Sequence, residues 1–165
     1  MKTFKKSFLV IILLLAIMGD VQLVTAQKST PAKEAVIKNL VNSQQYVFYA
    51  QSALPMSGRQ RFLTSEYTLY VSKDTVISDL PYFGRAYSAP INLAGGGINF
   101  TSTSFDYQLK ARKKGGWDIT IKPKDTPEVQ QLMMTIFENG TTSLRVSSNN
   151  RQPISFNGYI TTRKN

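Results

Sequence analysis

The sequence predicts an all-β domain: about eight antiparallel strands, closed as an up-and-down barrel or stacked as a β-sandwich, behind one short N-terminal helix. Three observations carry this reading. Short runs rich in Val, Ile, Tyr and Phe alternate apolar with polar residues. Gly, Pro, Asn-Gly and Asn-Asn punctuate them at regular spacing. Only one stretch, near the start, has the spacing of a helix.

A targeting segment precedes these elements. Lys2, Lys5 and Lys6 lead into an uninterrupted apolar run of eleven residues, Phe8 to Met18, closed by Gly19-Asp20. Val24-Thr25-Ala26 then places small residues at the minus-three and minus-one positions before Gln27, the pattern of a cleaved secretory signal peptide. Eleven residues fall well short of the ~20 that span a bilayer; a retained membrane anchor is the alternative. The expected organisation is thus 1–26 signal peptide, 27–43 helical segment and 44–165 antiparallel β domain. Cleavage would cut the chain from 165 to 139 residues, the size of one domain, with 17 basic and 9 acidic side chains and a net charge of +8.

The helix is expected from Ser29 or Thr30 as cap and Pro31 in the first turn. Val36 with Leu40, and Ile37 with Val41, sit at i,i+4 spacing and form an apolar stripe suited to closing a barrel end or covering a sheet edge. The first strand is Tyr46 to Ala50, ended by Pro55 and Gly58. Arg61 to Ser65 leads into Tyr67 to Val71, where Tyr67, Leu69 and Val71 alternate with Thr68, Tyr70 and Ser72. Lys73-Asp74 turns the chain into Thr75 to Leu80. A loop with Pro81, Gly84, Pro90 and Gly95-Gly96-Gly97 leads to Ile98–Tyr107, with Ile98, Phe100, Phe105 and Tyr107 as its apolar positions. Tyr107 to Lys110 and Trp117 to Ile121 flank a Lys113-Lys114-Gly115-Gly116 turn. Leu132 to Phe137 joins Ser143 to Val146 through Asn139-Gly140, a strong hairpin signal. Asn149-Asn150 turns into a last strand, Arg151 to Thr162, with Ile154, Phe156 and Ile160 facing inward.

Composition excludes much chemistry. With no histidine and no cysteine there is no imidazole base, no Ser-His-Asp or Cys-His set, no thiolate, no disulfide and no His or Cys ligand for zinc or iron–sulfur. Acidic residues are scattered singly and form no calcium-loop pattern. Asp125 and Glu128 flank a proline loop, where solvation is the ordinary expectation. The triple glycine lacks the following lysine and helix of a phosphate loop. No enzymatic activity, cofactor or metal is expected, with a hydrolase using two carboxylates on a glycosidic bond as the third and most distant reading; export argues against a nucleic-acid partner, and the oligomeric state is left open.

Three stretches carry a family resemblance: Gly58-Arg59-Gln60-Arg61-Phe62-Leu63-Thr64-Ser65-Glu66-Tyr67, the string Leu80-Pro81-Tyr82-Phe83-Gly84-Arg85-Ala86-Tyr87-Ser88-Ala89-Pro90 with its glycine-rich follower to Phe100, and Ser148-Asn149-Asn150-Arg151-Gln152-Pro153-Ile154. Together they resemble the bacterial family catalogued as domain of unknown function 4251, from about Tyr46 to Ile160. The resemblance implies a small exported protein of a Bacteroidota-type bacterium with a lipocalin-like barrel, and it implies no activity. Many members carry a lipoprotein cysteine at the end of the signal; Ala26-Gln27 stands there in this chain, so the protein is expected to be periplasmic or secreted and not a lipoprotein.

Two constellations are candidate binding sites. Tyr82, Phe83 and Tyr87 are expected around the guanidinium of Arg85, with Trp117 as a further apolar contact. Such an arrangement allows cation–π stacking and leaves donors for the polar end of a small amphipathic ligand in the barrel mouth. The alternative is a structural plug in which Arg85 bonds backbone carbonyls. Arg59, Arg61 and Arg151 form a second set, either clamping an anionic envelope component at one rim or pairing with Glu66, Asp79 or Asp106 inside the fold. The densest basic cluster, Lys110, Arg112, Lys113 and Lys114, reads as a solvated hairpin tip or a binding patch.

Overall fold

A computed structural model describes residues 30–87 and 96–163; the signal segment and the Ser88–Gly95 part of the glycine-rich loop lie outside them. The elements are helix α1 (Pro31–Ser43) and strands β1 (Tyr46–Pro55), β2 (Arg61–Phe62), β3 (Thr68–Val71), β4 (Val76–Leu80), β5 (Ile98–Ser102), β6 (Phe105–Ala111), β7 (Trp117–Pro123), β8 (Val129–Ile136), β9 (Thr141–Ser148) and β10 (Ile154–Thr161). The sheet runs β5-β4-β3-β1-β10-β9-β8-β7-β6, every pair antiparallel, with β2 on the side of β1. It is a nearly closed barrel in which β3 to β5 and β6 to β10 pair with their chain neighbours and β1 joins β10.

The expectation of about eight strands becomes ten, for two reasons. Arg61–Phe62 is a separate two-residue strand, and the run from Ile98 to Tyr107 is divided. Eight antiparallel steps along the sheet leave β5 and β6 pointing the same way, so they are two halves of one bent strand. The first half pairs with β4 and the second with β7. The chain therefore closes the barrel by changing neighbours at Thr103-Ser104, and among the described residues the outer edge of β5 meets no strand. Asp125 holds this step. Its carboxylate accepts from the hydroxyl of Ser102 and from the backbone N–H groups of Thr103 at 2.8 Å and Ser104 at 3.1 Å. These donors favour the ionised form and lower its pKa from 3.8 to about 2.

The inward residues follow the period of two wherever the register is regular. In β4, Val76, Ser78 and Leu80 are buried while Ile77 and Asp79 face out; in β10, Ile154, Phe156, Gly158 and Ile160 are buried. Irregularities shift the parity where it breaks. In β1 a register shift between Ala50 and Ser52 moves the inward set from Tyr46, Phe48 and Ala50 to Ala53 and Pro55. A shift between Val129 and Gln131 does the same in β8, from Val129 to Leu132, Met134 and Ile136. The interior is filled by Tyr46, Phe48, Leu69, Leu80, Ile119, Ile121, Leu132, Met134, Ile136, Leu144, Ile154 and Phe156, each all but fully buried. Burial pushes the Tyr46 phenol well above its ordinary pKa, with Tyr107 3.4 Å away adding to the shift.

The helix is one end's lid. Thr30 stands at its cap in an extended conformation, accepting through its carbonyl rather than its side chain, and Gln44 ends it in a left-handed turn. Ile37 and Val41 are buried and Val36 is half exposed, so the apolar stripe is narrower than its spacing suggests. Ile37 lies against the turn between β8 and β9, where Gly140 has φ +85°; a Cβ there would sit 2.9 Å from Ile37 Cδ1.

Candidate functional site

The opposite end carries the polar chemistry, centred on Arg151 rather than Arg85. Arg151 is 5% exposed, although it precedes β10 in a loop. Its Nη1 donates to the carbonyls of Gly96 at 3.1 Å and Gly97 at 2.9 Å, and its Nη2 pairs with Glu128 at 3.2 Å. The guanidinium lies 5.2 Å over the Tyr82 ring. An arginine's planar fork can satisfy carbonyls, a carboxylate and an aromatic face at once; a lysine cannot.

The segment after β4 folds against this arginine. Ala86 forms an isolated antiparallel bridge with Arg151, Tyr87 N–H donates to Asn150 O, and Gln152 N–H donates to Arg85 O. The Tyr82 hydroxyl lies 2.8 Å from Arg85 O and 3.0 Å from Gln152 O, donating toward the pair. Burial raises its pKa, against the opposing effect of Arg151 and the Gln152 hydrogen bond, which keeps the hydroxyl protonated for this task. Gly84 permits the turn, because a Cβ there would run into the Tyr82 ring.

These contacts redraw the expected sets. Of the arginines, Arg151 stacks on Tyr82 and Arg61 on Phe83, at 5.0 Å to the ring centroid; Arg85 contributes its carbonyl and leaves its side chain exposed. Bonding to backbone carbonyls, considered for Arg85, is the work of Arg151. Trp117 does not join the aromatics: it pairs with Ala111 and Ile136 and borders α1 at the helix end. The second set is divided, with Arg59 and Arg61 exposed and Arg151 buried. The partner of Arg151 is Glu128, not Glu66, Asp79 or Asp106, and Asp106 pairs with Lys124 at 2.5 Å. In the basic turn, Arg112 folds back on Asp118 at 3.5 Å and over the Phe137 ring at 5.2 Å, whereas Lys110, Lys113 and Lys114 are exposed.

Asp125 and Glu128, expected to be merely solvated, are structural partners on the wall of a cleft of about 290 Å³. The cleft fills the gap beside the unpaired edge of β5. Ile98, Phe100 and Val129 supply its apolar surface, and Thr101, Thr126, Ser148 and Arg151 its polar one. Thr126 Oγ1, Asn150 Oδ1, Arg151 Nε and Gln152 Oε1 are buried and meet no hydrogen-bond partner among the described residues. Sequence reasoning missed Ser102, Asp125, Thr126 and Glu128. The hydroxyl run Thr101 to Ser104 in a strand otherwise marked by apolar residues was the available signal, because buried hydroxyls need partners.

The fold and this end of it define a class, a small antiparallel β-barrel whose polar loops clamp a buried arginine. The chain belongs to the family described as domain of unknown function DUF4251, whose model matches residues 28–160. It is similar to the crystal structure of a DUF4251 family protein from Bacteroides eggerthii, with a TM-score of 0.58 and 14% sequence identity over 79% of this chain and 88% of that one. That likeness is one of fold. No curated protein matches the chain.

Proposed function

We propose that the protein is an exported, non-catalytic barrel that binds a small amphipathic molecule in the cleft beside β5. One observation carries the reading: the cleft wall sets the apolar Ile98, Phe100 and Val129 beside the polar Thr101 and Ser148. A ligand laying an apolar body on Ile98, Phe100 and Val129 and turning its polar end to the hydroxyls of Thr101 and Ser148 would match both kinds of surface. The cleft stands at the lower edge of the ~300–1,000 Å³ range of small-molecule sites, which favours a compact ligand. The filled barrel interior argues against a ligand held as lipocalins hold theirs.

Binding fits the carboxylates better than hydrolysis does. A glycosidase needs one carboxylic acid held protonated near neutral pH. Asp125 is instead held ionised down to about pH 2, and Glu128 is engaged by Arg151. Export rests on the basic start, the eleven-residue apolar run and the Val24-Thr25-Ala26 pattern. Among the described residues no helix is long and apolar enough to cross a membrane.

Native mass spectrometry of the protein isolated from its own bacterium tests the reading. A small-molecule adduct is expected, and Ser148→Trp, which fills the cleft from a half-buried position, should abolish it while the barrel still melts cooperatively. An adduct-free wild type, or an adduct undiminished in S148W, would overturn it. Residue 27 as the first residue of the isolated protein is the expected mark of export.

A further inference from the structure

We propose that the rim beside this cleft is a docking surface for an anionic phospholipid bilayer, formed by Met56, Arg59, Arg61 and Phe62 on one side and Phe83, Arg85 and Tyr87 on the other. Two segments build it: residues 56–62, which lead from β1 through β2, and residues 81–87, which lie against Arg151. They are joined where the Arg61 guanidinium covers Phe83. Neither segment contains an Asp or Glu, while together they hold three arginines, all exposed.

The apolar side chains are exposed as well: Phe62 is 83% exposed, Tyr87 70%, Met56 66% and Phe83 36%. Isolated exposed apolar residues are ordinary, but four of them interleaved with three arginines that form no ion pair among the described residues make an amphipathic surface. A protein partner carrying both acidic and apolar groups is the competing occupant, and the lipid dependence of binding separates it from a bilayer. A bilayer interface with anionic headgroups satisfies rings and arginines alike, because aromatic rings settle at headgroup depth and arginines meet the phosphates. The basic turn at the helix end does not offer this chemistry, since Glu34, Glu138 and Asp118 stand around it. Continuity with the cleft adds a second argument. Arg151 lines the cleft and stacks on Tyr82, the neighbour of Phe83, so docking would hold the cleft close to the membrane surface.

Flotation with vesicles of phosphatidylglycerol and phosphatidylcholine, against phosphatidylcholine alone, tests the proposal on the chain as isolated from its bacterium. All variants share one N terminus, so any bilayer affinity of that segment cancels in the comparison. Binding should require the anionic lipid and weaken as salt rises. Each arginine removed should lower partitioning about fivefold, making Arg59→Gln with Arg61→Gln about 25-fold weaker, and Phe62→Ser should cost about tenfold. Lys113→Gln with Lys114→Gln should change it by less than about twofold, because that turn faces away from the docked bilayer. Melting curves verify that these exposed substitutions leave the fold intact. Failure of the wild type to float with anionic vesicles, or an equal loss in the lysine pair, would overturn the proposal.

Discussion

The two ends of the barrel are closed by different physics. At the helix end, Ile37 and Val41 are buried beneath α1, and the turn between β8 and β9 needs a glycine because the lid comes so near. At the cleft end the closure is polar. A buried arginine ties together the loop before β5, the loop before β8 and the segment after β4. All four buried side-chain atoms without a hydrogen-bond partner, among the described residues, belong to Thr126, Asn150, Arg151 and Gln152. An apolar lid tolerates no such atoms. A polar closure holds them beside the cleft, and the contrast teaches which end to test for function.

The largest expected effect breaks the polar closure. Arg151→Met removes the cation that pairs with Glu128 and the donor to two carbonyls, and removal of one member of a buried pair costs about 3–5 kcal/mol. Urea unfolding should show that loss. Hydrogen exchange should quicken in residues 81–87 and 96–98 while α1 keeps its protection, which separates local opening of this end from general loosening. Ile37→Ala breaks the other end. Deleting a buried isoleucine side chain costs about 2–5 kcal/mol, and exchange should now quicken in α1 and the β8–β9 turn. If either variant loosened both ends equally, the two closures would be one cooperative unit.

The ends also differ in how much of them could be read from residues. Periodicity exposed the helix end, because burial there is apolar and repeats at i,i+4 in α1 and at alternate residues in β10. The cleft end joins residues far apart in sequence, Arg151 with Gly96 and Gly97, Ser102 with Asp125, and no local pattern reports such pairs. The string from Leu80 to Tyr87 does place an aromatic ring on an arginine, but that arginine is Arg151, far along the chain, and not Arg85. Aromatic residues adjacent in sequence point to opposite sides of an extended segment, so Tyr82 met Arg151 and Phe83 met Arg61. Trp117 was grouped with them on chemistry alone; its register with Ile136 carries it to the far end. The division of Ile98–Tyr107 was hidden because bending a strand to change neighbours leaves its apolar alternation nearly intact.

A smaller effect sharpens the account of the lid. Gly140→Ala places a side chain at φ +85° and against Ile37, which should cost about 1–2 kcal/mol. Thermal melting of G140A should fall by several degrees. Combining it with Ile37→Ala should recover part of the loss, since removing the isoleucine removes the clash but not the backbone strain.

The smallest effect at neutral pH lies at the junction of β5 and β6, and acid makes it visible. The Asp125 carboxyl titrates at about 2 in the folded chain against 3.8 ordinarily, because Ser102, Thr103 and Ser104 donate to its charged form. A depressed folded pKa means that its stabilisation is complete above pH 3.8 and disappears as pH falls toward 2. Melting curves of the wild type should therefore decline across that window, along with any contribution from other carboxylates. Asp125→Asn has no charge to lose and should show a shallower decline, its difference from the wild type shrinking as pH falls. Parallel curves would mean that the barrel closes at Thr103-Ser104 through the strand bend alone, without the carboxylate. Convergence would assign the step between β4 and β7, and with it the open edge on which the cleft depends, to the hydrogen bonds accepted by one aspartate.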